Sequence, residues 1–322
     1  MGPGDGLGDR TGDGAGDGAG WGPDGRSAQP GLSVVMVYYG GAEARPVLDA
    51  LRAEPAVAEV ILVNNLESGP PWPPALGPRP EGDGPPLRLV HGQGNVGFGA
   101  GCNRGVAEAR GDRLLLLNPD CLPAPGTLPA VLALAPRPPD EAWMIGARLL
   151  GPDGQEQVGG RRNAGTPGQW LGEAFGGRFA RVNRHREPLP TADLVPIPAI
   201  SGAFMLMPTA FYRRLGGFDE RYFLHFEDLA LCRAVWRAGG RVLFAPHRTA
   251  AHLKSRSPVS GLFVTRHKIR GCWRYFTTEF RPEGAPRWWL ALAWAVLSGG
   301  LLAKTLLSGG WRRPSAARAR SA

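Results

Sequence analysis

The sequence predicts an α/β fold with a parallel sheet whose strands are joined by crossover helices. Short apolar runs alternate with helical stretches and glycine-rich turns, which is typical of parallel strands joined by crossover helices. Residues 113–118 read RLLLLN, and four consecutive leucines indicate a strand that is buried on both faces. Polar residues directly follow two of the runs, as is common where such sheets bind ligands.

The elements follow one another in the order that this fold requires. Strands are predicted at 32–39, 57–65, 87–90, 113–118, 142–149 and 241–245, and helices at 42–53, within 92–112 and from about Glu227. Pro119 cannot donate to a sheet ladder, so the fourth strand must end before it. Residues 66–86 are predicted to form a proline-rich irregular loop, and residues 159–193 a long loop with little periodicity.

The composition divides the chain into three parts. Residues 1–30 are mostly glycine and aspartate, so we expect a disordered tail, without the apolar segment of a signal peptide. Residues 31–280 hold the alternating elements and form the globular domain. Residues 281–322 are strongly basic and include 16 uncharged residues, 288–303, interrupted by Gly299 and Gly300. Tryptophans before and arginines after that interruption favour an amphipathic, membrane-associating helix over a spanning one. A helix that caps the domain core is the alternative.

Net charge indicates which kinds of partner to expect, and the cysteines indicate the redox environment. The formal net charge is +9, which suits phosphate-bearing ligands or an anionic membrane surface. The sequence has no helix-turn-helix, RNP or zinc-finger pattern, so we do not expect nucleic acid as a partner. Its four cysteines are far apart and form no C-x-x-C pair, which argues against a zinc site and a disulfide framework and fits a reducing cytoplasm.

Polar side chains at two strand ends mark the first candidate site. Asn64 and Asn65 end the second predicted strand, and Asn118 and Asp120 follow the leucines of the fourth. Taken alone, Asn-Pro-Asp could be an ordinary turn. The carboxyl ends of parallel strands lie at one edge of a sheet, however, and this convergence favours a ligand site. A lone carboxylate together with substrate phosphates is a common way to hold Mg²⁺.

A glycine-rich segment separates these two strand ends. Residues 92–97 read GQGNVG, a literal G-x-G-x-x-G with Asp120 about twenty residues on, so spacing alone leaves a dinucleotide site open. The segment follows the third strand rather than the first, and Gly99, Gly101 and Gly105 continue it, which disfavours that interpretation. A simple turn, or a loop whose backbone closely approaches a nucleotide-linked substrate, are the other possibilities.

The second half of the chain contributes two acids and a histidine. Glu227 and Asp228 stand at the start of a predicted helix, where acids also stabilise the helix dipole without any further role. His252 follows a predicted strand and could be a structural histidine. Together with Asp120, these residues offer a carboxylate for a metal, a general base and a metal-binding nitrogen.

Six motifs occur in a specific order: VILVNN, NVGFGAGCNRG, LLLNPDC, SGAFMLM, GGFDERYFLHFEDLALC and APHRTAAHLKSRS. As a set they resemble the family 2 glycosyltransferases of GT-A fold, and they are especially similar to actinobacterial rhamnosyltransferases that use dTDP-rhamnose. The resemblance covers residues 32–280 and implies an α/β fold of GT-A type, with a mixed, mostly parallel sheet, helices on both faces and further C-terminal helices. Asn64 stands where an aspartate is usual, Ala230 replaces the second acid of E-D-x-D-L, and the proline-rich loop is unusual.

The resemblance implies roles for individual residues. Asp120 would bind a metal, with Asn118 as the first position of its motif, and His252 would contact the metal or the diphosphate. Asp228 would be the catalytic base, with Glu227 beside it. The nucleotide-sugar site would be lined by Tyr38, Asn64, Asn65, Asn95, Gly97, Gly99, Asn103, Asn118, Ser201 and Gly202.

The resemblance also implies a reaction and its setting. We expect an inverting glycosyltransferase that uses a divalent cation, Mg²⁺ or Mn²⁺, and moves L-rhamnose from dTDP-rhamnose to a lipid-linked or cell-envelope glycan. A galactofuranosyl- or mannosyl-transferase is an alternative within the fold. A non-catalytic sugar-nucleotide or glycan-binding relative and a dinucleotide-binding protein are alternatives of other classes. The expected location is cytoplasmic, on the inner face of the plasma membrane.

Overall fold

We describe the fold from a computed structural model of the 322-residue chain. The structure describes residues 29–66, 68–137, 141–175, 181–253 and 260–308. Nearly all of the predicted N-terminal tail and the last arginines of the chain therefore lie outside the described residues.

The described chain alternates strands and helices. Its strands are β1 (Gln29–Tyr38), β2 (Val57–Asn64), β3 (Leu87–Val90), β4 (Gly111–Leu117), β5 (Cys121–Pro123), β6 (Trp143–Leu150), β7 (Arg161–Arg162), β8 (Val195–Pro196), β9 (Ala199–Ile200), β10 (Phe204–Pro208) and β11 (Arg241–His252). Its α-helices are α1 (Ala44–Arg52), α2 (Phe98–Glu108), α3 (Thr127–Leu134), α4 (Pro167–Ala174), α5 (Thr209–Arg214), α6 (Glu227–Arg237), α7 (Gly261–Tyr275) and α8 (Arg287–Leu307). A 3₁₀ turn lies at Pro74–Leu76 and a π-helical turn at Phe276–Phe280.

Nine of the described strands form one mixed sheet, in the order β3-β2-β1-β4-β10-β6-β11-β5 with β8 on β11. Strands β1 to β4 run parallel, and β6 pairs in parallel with β11. Strand β10 is antiparallel to both of its neighbours, β4 and β6. The carboxyl ends of β1, β2, β4, β6 and β11 and the amino end of β10 therefore meet at one edge, which we call the site edge. Strands β7 and β9 form a separate ladder.

Both faces of the sheet are buried, because side chains along a strand point alternately to opposite faces. On β1, Val35 and Val37 pack into a core with α2, α5, α6 and α7, while Val34 and Met36 pack into a second core with α1 and α3. The leucines at 114–117 are at most 1% exposed and alternate between the two cores. Each buried leucine contributes about 1.5–3 kcal/mol. The predicted fold class is confirmed.

A glycine lets α2 lie very close to the sheet. A Cβ atom at Gly105 would come within 2.4 Å of Cγ1 of Val35 and 2.9 Å of Cγ2 of Val63, whereas ordinary contacts between carbon atoms are about 3.5–4.0 Å. This glycine of the predicted glycine-rich stretch therefore serves the packing of α2 on β1 and β2.

Two stretches differ from the sequence-based expectation. The region 159–193, predicted to be a long loop, contains β7 and α4. The predicted interruption at Gly299 and Gly300 is wrong, because α8 runs continuously from Arg287 to Leu307. Each interior glycine costs about 1 kcal/mol relative to alanine, and burial of one face of α8 against α4 and α7 offsets this cost. The division of the chain at 30/31 and 280/281 stays a prediction.

Candidate active site

The segment 201–203, which leads into β10, connects two clusters of polar side chains at the site edge. The N–H of Asn118 donates to the carbonyl of Ala203 (3.0 Å), and the N–H of Gly202 donates to Oδ2 of Asp228 (3.2 Å). Asn118 and Asp228 are far apart in the chain, yet they bind consecutive residues of one segment. The structure thus brings the two predicted acid motifs together.

The first cluster comprises Asn118, Asp120, Gln157 and His252. The pairing of β5 with β11 sets Cys121 opposite His252 and so brings the histidine next to Asp120. Nε2 of His252 lies 3.2 Å from Oδ1 of Asp120 and 3.3 Å from Nδ2 of Asn118. Because Asp120 and His252 are both buried, their mutual arrangement is fixed by the fold.

Gln157 fixes the tautomer of His252. The amide nitrogen of Gln157 donates to the backbone carbonyl of His252. Its Oε1 atom, 2.8 Å from Nδ1 of the imidazole, can therefore only accept a hydrogen bond there. Nδ1 therefore donates to Gln157, and Nε2 is the ring nitrogen that faces Asp120. Metal-binding histidines are usually held in this way through their other ring nitrogen.

The donor atoms of this cluster fit a divalent cation. Two adjacent ligands of an octahedral ion, each at about 2.1 Å, lie about 3 Å apart, which matches the 3.2 Å between Nε2 of His252 and Oδ1 of Asp120. The described residues contain no group of three or more His, Cys, Asp or Glu side chains that could hold a metal. Further oxygen ligands would therefore come from water and substrate phosphates, as is usual for Mg²⁺.

The second cluster is centred on Asp228 at the start of α6. Its carboxylate accepts hydrogen bonds from the N–H groups of Gly202 (3.2 Å) and Leu229 (2.8 Å) and forms an ion pair with Arg162 of β7. Burial lowers the pKa of Arg162, but the neighbouring Asp228 outweighs burial and leaves that pKa raised. Arg162 also donates to the carbonyl of Ile200 (2.7 Å), which anchors the ion pair to β9.

Glu227 lies beside Asp228 in a different environment. Glu227 is 6% exposed, and its Oε2 atom has no hydrogen-bond partner among the described residues. Burial and the neighbouring Asp228 charge raise the pKa of Glu227 to about 8. Glu227 is therefore mostly protonated at neutral pH, whereas Asp228 is paired with Arg162.

The backbone before α6 is strained. His225 (φ 69°) and Phe226 (φ 73°) both adopt the left-handed conformation, which costs a non-glycine residue about 1–3 kcal/mol. The ring of Phe226 packs against Trp170 of α4 and Tyr275 of α7, with centroids 5.5 and 5.7 Å away. This packing maintains the turn that places Asp228 at the site edge.

Hydrogen bonds connect the end of β2 to the glycine-rich segment. Nδ2 of Asn65 donates to the carbonyl of Gly97 (2.9 Å). Gln93 donates to Oδ1 of Asn65 (3.1 Å) and to the carbonyl of Asn64 (2.9 Å), and Oδ1 of Asn95 accepts from the N–H of Gly97 (3.2 Å). These bonds hold the glycine-rich segment at the site edge.

Asn64 is directed toward the proline-rich loop. Its Nδ2 atom donates to the carbonyl of Pro71 (2.9 Å), and its Oδ1 atom accepts from the N–H of Leu66 (3.0 Å). An ionised aspartate could not donate to the Pro71 carbonyl. Asn64, in place of the usual aspartate, therefore makes a hydrogen bond to Pro71 that an ionised aspartate could not make.

Gly97 and Gly99 bring the glycine-rich segment against the residues before and within α6. Gly97 has a φ of 89°, and a Cβ atom there would come within 2.4 Å of the carbonyl oxygen of Phe223. A Cβ atom at Gly99 would lie 3.8 Å from Cβ of Glu227. The ring of Phe98, between them, lies 3.4 Å from the position of a Cβ atom at Gly202. The glycine-rich segment, the segment 201–203 and α6 therefore border one another.

Three of the predicted nucleotide-binding residues make contacts within the protein. Tyr38 ends β1 but is fully buried in the core with α1, and its hydroxyl has no partner among the described residues. Both the nitrogen and the oxygen of the Asn103 side-chain amide form hydrogen bonds with residues within 212–220. Ser201 accepts a hydrogen bond from the N–H of Ala203 (3.3 Å). A ligand-binding role for these residues, as for the other predicted site residues, stays a prediction.

The sequence analysis did not single out Gln157 and Arg162. Both lie among glycines and charged residues without periodicity, so no pattern marks them. A signal for order was nevertheless present nearby. Residues 166–169 read TPGQ, and a threonine N-cap, a proline at the first helical position and a glutamine at the third predict a helix start. Helix α4 begins there with a complete capping box.

Comparisons with known proteins agree with this geometry. A family model described as glycosyltransferase-like family 2 matches residues 83–279, which is well over half of the chain. An N-acetylglucosaminyl-diphospho-decaprenol L-rhamnosyltransferase of Mycobacterium tuberculosis is 28% identical over 242 residues, covering 69% of this chain and 76% of that protein. Rhamnosyltransferase WbbL of Escherichia coli is 36% identical over 82 residues, covering 24% of this chain and 30% of that protein.

Among solved structures, the mannosyltransferase PcManGT from Pyrobaculum calidifontis, in complex with GDP-Man and Mn²⁺, has a TM-score of 0.52 at 16% identity. The match covers 92% of this chain and 82% of that chain, and at this identity it shows a common fold. The family match includes the glycine-rich segment and both acid motifs, which removes the reason for a dinucleotide-binding interpretation. The chain therefore belongs to glycosyltransferase family 2, and it is a sugar-transferring enzyme.

Proposed function

We propose that this enzyme inverts the anomeric carbon as it moves L-rhamnose from dTDP-rhamnose to a lipid-linked acceptor of the cell envelope. The observation that carries the proposal is that Asn118, beside the Asp120–His252 pair, and Asp228, paired with Arg162, bind consecutive residues of the segment 201–203. The choice of rhamnose is supported by two similar proteins, both named rhamnosyltransferases. The name of the first also includes a diphospho-decaprenol acceptor.

In this proposal the first cluster receives the diphosphate of the donor. Asp120 and His252 hold a divalent cation, Mg²⁺ or Mn²⁺, and Asn118 lies beside them. When bound, such a cation neutralises the charge of the diphosphate leaving group. Gln157 accepts a hydrogen bond from Nδ1 of His252 and so holds the ring with Nε2 directed toward Asp120, where the cation would bind.

The nucleotide and the sugar would lie along the rest of the site edge. The hydrogen-bonded glycine-rich segment supports this placement, since its backbone is held next to β2 and the segment 201–203. The residues that we propose for this part of the site are Tyr38, Asn64, Asn65, Asn95, Gly97, Gly99, Asn103, Asn118, Ser201 and Gly202.

Asp228 is the proposed general base. Its carboxylate takes the proton of an acceptor hydroxyl while that oxygen attacks the anomeric carbon on the face opposite the diphosphate. The new carbon–oxygen bond forms as the bond to the diphosphate oxygen breaks, so the configuration inverts, and the transition state is oxocarbenium-like, as in glycoside hydrolysis. Arg162 and the N–H of Gly202 hold the carboxylate in position. Glu227 stays protonated beside it.

The proposed acceptor also sets the location of the enzyme. A nucleotide-sugar is water-soluble, whereas a polyprenyl acceptor lies in a bilayer. We therefore propose that the enzyme works at the inner face of the plasma membrane, and its net charge of +9 suits an anionic surface.

A donor-release assay on the full chain tests the proposal. The protein is incubated with dTDP-rhamnose, UDP-galactofuranose or GDP-mannose, with Mg²⁺, and with or without a polyprenyl-diphosphate-linked N-acetylglucosamine. We expect dTDP to be released only when the acceptor is present. Faster acceptor-dependent release of UDP or GDP would replace the rhamnose assignment, and no acceptor-dependent release from any donor would contradict the proposed acceptor.

A further inference from the structure

Helix α8 packs on the domain along one face only. Thr305 forms a 2.6 Å hydrogen bond with Thr265 of α7, the indole N–H of Trp294 donates to the carbonyl of Ile269 (2.9 Å), and Leu290 is fully buried in the core. These contacts lie near both ends and in the middle of α8. The helix is therefore attached to the domain along its length.

The opposite face of α8 is apolar and exposed. Six of the eleven exposed large hydrophobic side chains in the described part of the chain belong to this one helix: Trp288, Leu292, Val296, Leu302, Leu306 and Leu307. Trp288 is 69% and Leu292 50% exposed. The spacing of these residues forms a single stripe about 27 Å long from Trp288 to Leu306. A continuous apolar stripe of this size normally marks an interaction surface.

The neighbouring helix α7 adds positive charge to the same surface. The contacts from Thr265 to Thr305 and from Ile269 to Trp294 make α7 and α8 antiparallel neighbours. Both helices pack one face on the domain core, so their opposite faces share one outer surface. Arg266 and Arg270, one turn apart and both exposed, lie on that face of α7. Neither helix contains an aspartate or a glutamate.

We propose that the outer surface of α7 and α8 docks on an anionic lipid bilayer, with α8 lying in the plane of the headgroups. The exposed stripe provides the apolar contact, Trp288 suits the interface between water and lipid, and Arg266 and Arg270 face the anionic headgroups. A second copy of the chain fits this surface poorly. A two-fold interface pairs the surface with itself and would bring two acid-free, basic surfaces together.

The contacts of α8 also define how the chain meets the bilayer. By length and composition, α8 is the one helix among the described residues that could cross a membrane. Crossing would separate Thr305 from Thr265 and Trp294 from Ile269. A helix that lies at the interface keeps both contacts and still buries its stripe. The functional purpose of this docking rests on the proposed lipid-linked acceptor. Its physical basis is the outer surface of α7 and α8.

Vesicle flotation of the full chain tests the docking surface. We expect binding to phosphatidylcholine vesicles that contain about 30% phosphatidylglycerol, weaker binding to pure phosphatidylcholine, and partial release at about 0.5 M salt. The double variant Leu292→Glu/Val296→Glu should lose binding to both kinds of vesicle. The double variant Arg266→Ala/Arg270→Ala should bind anionic vesicles about thirtyfold more weakly, because each arginine contributes about 1 kcal/mol. Val158→Glu, at an exposed apolar position outside these helices, should bind like the wild type.

Several results would overturn the inference. The first is a wild-type protein that binds neither kind of vesicle. The second is a Leu292→Glu/Val296→Glu variant that binds vesicles as well as the wild type does. Sedimentation equilibrium without lipid provides another test, because a wild-type dimer that this variant dissociates would assign the stripe to self-association. Failure of the proposed function is recognised separately. Vesicle binding without any acceptor-dependent dTDP release would leave the docking surface in place and contradict the assigned reaction.

Discussion

Glu227 and Asp228 are neighbours in the chain, but their carboxyl groups meet different surroundings. Asp228 has Arg162 and two N–H groups as partners, whereas Oε2 of Glu227 is buried without a hydrogen-bond partner in the described part of the chain. The sequence identifies this pair as a candidate site but cannot distinguish the two acids, since the distinction depends on the distant Arg162 and on burial.

The first prediction separates the two acids by matched amide substitutions. Asp228→Asn should keep donor binding and lower kcat on the order of a hundredfold or more, because the variant removes the proposed base. Glu227→Gln should retain activity within a few-fold near neutral pH, because Glu227 is already mostly protonated there. Steady-state kinetics and donor titration provide the measurements. Comparable losses in the two variants would show that the base has not been identified.

The raised pKa of Glu227 also predicts a pH dependence of stability. The pKa is about 8 in the folded state against an ordinary 4.5, so the folded state keeps a proton that the unfolded state loses. This contribution is fully present below about pH 4.5 and is lost as the pH rises to about 8. Glu227→Gln should remove this pH dependence. The free energy of unfolding of the variant, relative to that of the wild type, should therefore rise between about pH 5 and pH 8 by an amount on the order of a few kcal/mol. Urea unfolding at both pH values measures the difference. A constant difference would mean that Glu227 ionises normally.

At the scale of secondary-structure elements, β5 and β11 assemble the proposed metal-binding cluster. Their antiparallel pairing places His252 opposite Cys121. Gln157, which follows β6, binds both the backbone carbonyl and Nδ1 of His252 and so orients the imidazole. The sequence predicts a strand at 241–245, whereas β11 continues to His252, and β5 has only three residues and no periodicity that would predict it.

Replacing Gln157 tests this arrangement. Gln157→Leu frees Nδ1 of His252 to exchange its proton with Nε2, and we expect the Mn²⁺ concentration for half-maximal activity to rise about 10–100-fold. Activity should recover at saturating Mn²⁺. Gln157→Glu, which still accepts from Nδ1, is the matched control and should need less Mn²⁺ than the leucine variant. An unchanged metal requirement in Gln157→Leu would contradict the proposal that Gln157 positions His252 for a metal.

Helix α4 provides a second test at this scale. The Thr166 side chain accepts from the N–H of Gln169 (3.2 Å), and Gln169 accepts from the N–H of Thr166 (3.0 Å). Thr166→Ala should lower the free energy of unfolding by about 1 kcal/mol, whereas Thr166→Ser keeps the cap and should change it little. Equal urea midpoints for the alanine variant and the wild type would mean that α4 contributes no measurable stability through its cap.

For the whole molecule, the order of apolar runs and polar strand ends predicts the sheet and the edge at which Asn65, Asn118 and His252 lie. What the sequence could not predict are the pairings that depend on the reversal of β10, which carries residues 201–203 to that edge. The continuity of α8 through Gly299 and Gly300 was also missed, because local propensity opposes it and only packing against α4 and α7 compensates.

The exposed stripe of α8 has a consequence for how the enzyme meets its acceptor. When the enzyme and a polyprenyl acceptor share one bilayer, their encounters occur by lateral diffusion, and turnover depends on acceptor molecules per unit area rather than per unit volume. Diluting a fixed amount of acceptor with more phospholipid in the same vesicles should therefore slow the wild type in proportion. Adding acceptor-free vesicles should slow the wild type only to the extent that enzyme molecules move from acceptor-containing vesicles to acceptor-free ones. The Leu292→Glu/Val296→Glu variant has to bind the bilayer again from solution. Its turnover rate should therefore depend on the total vesicle concentration.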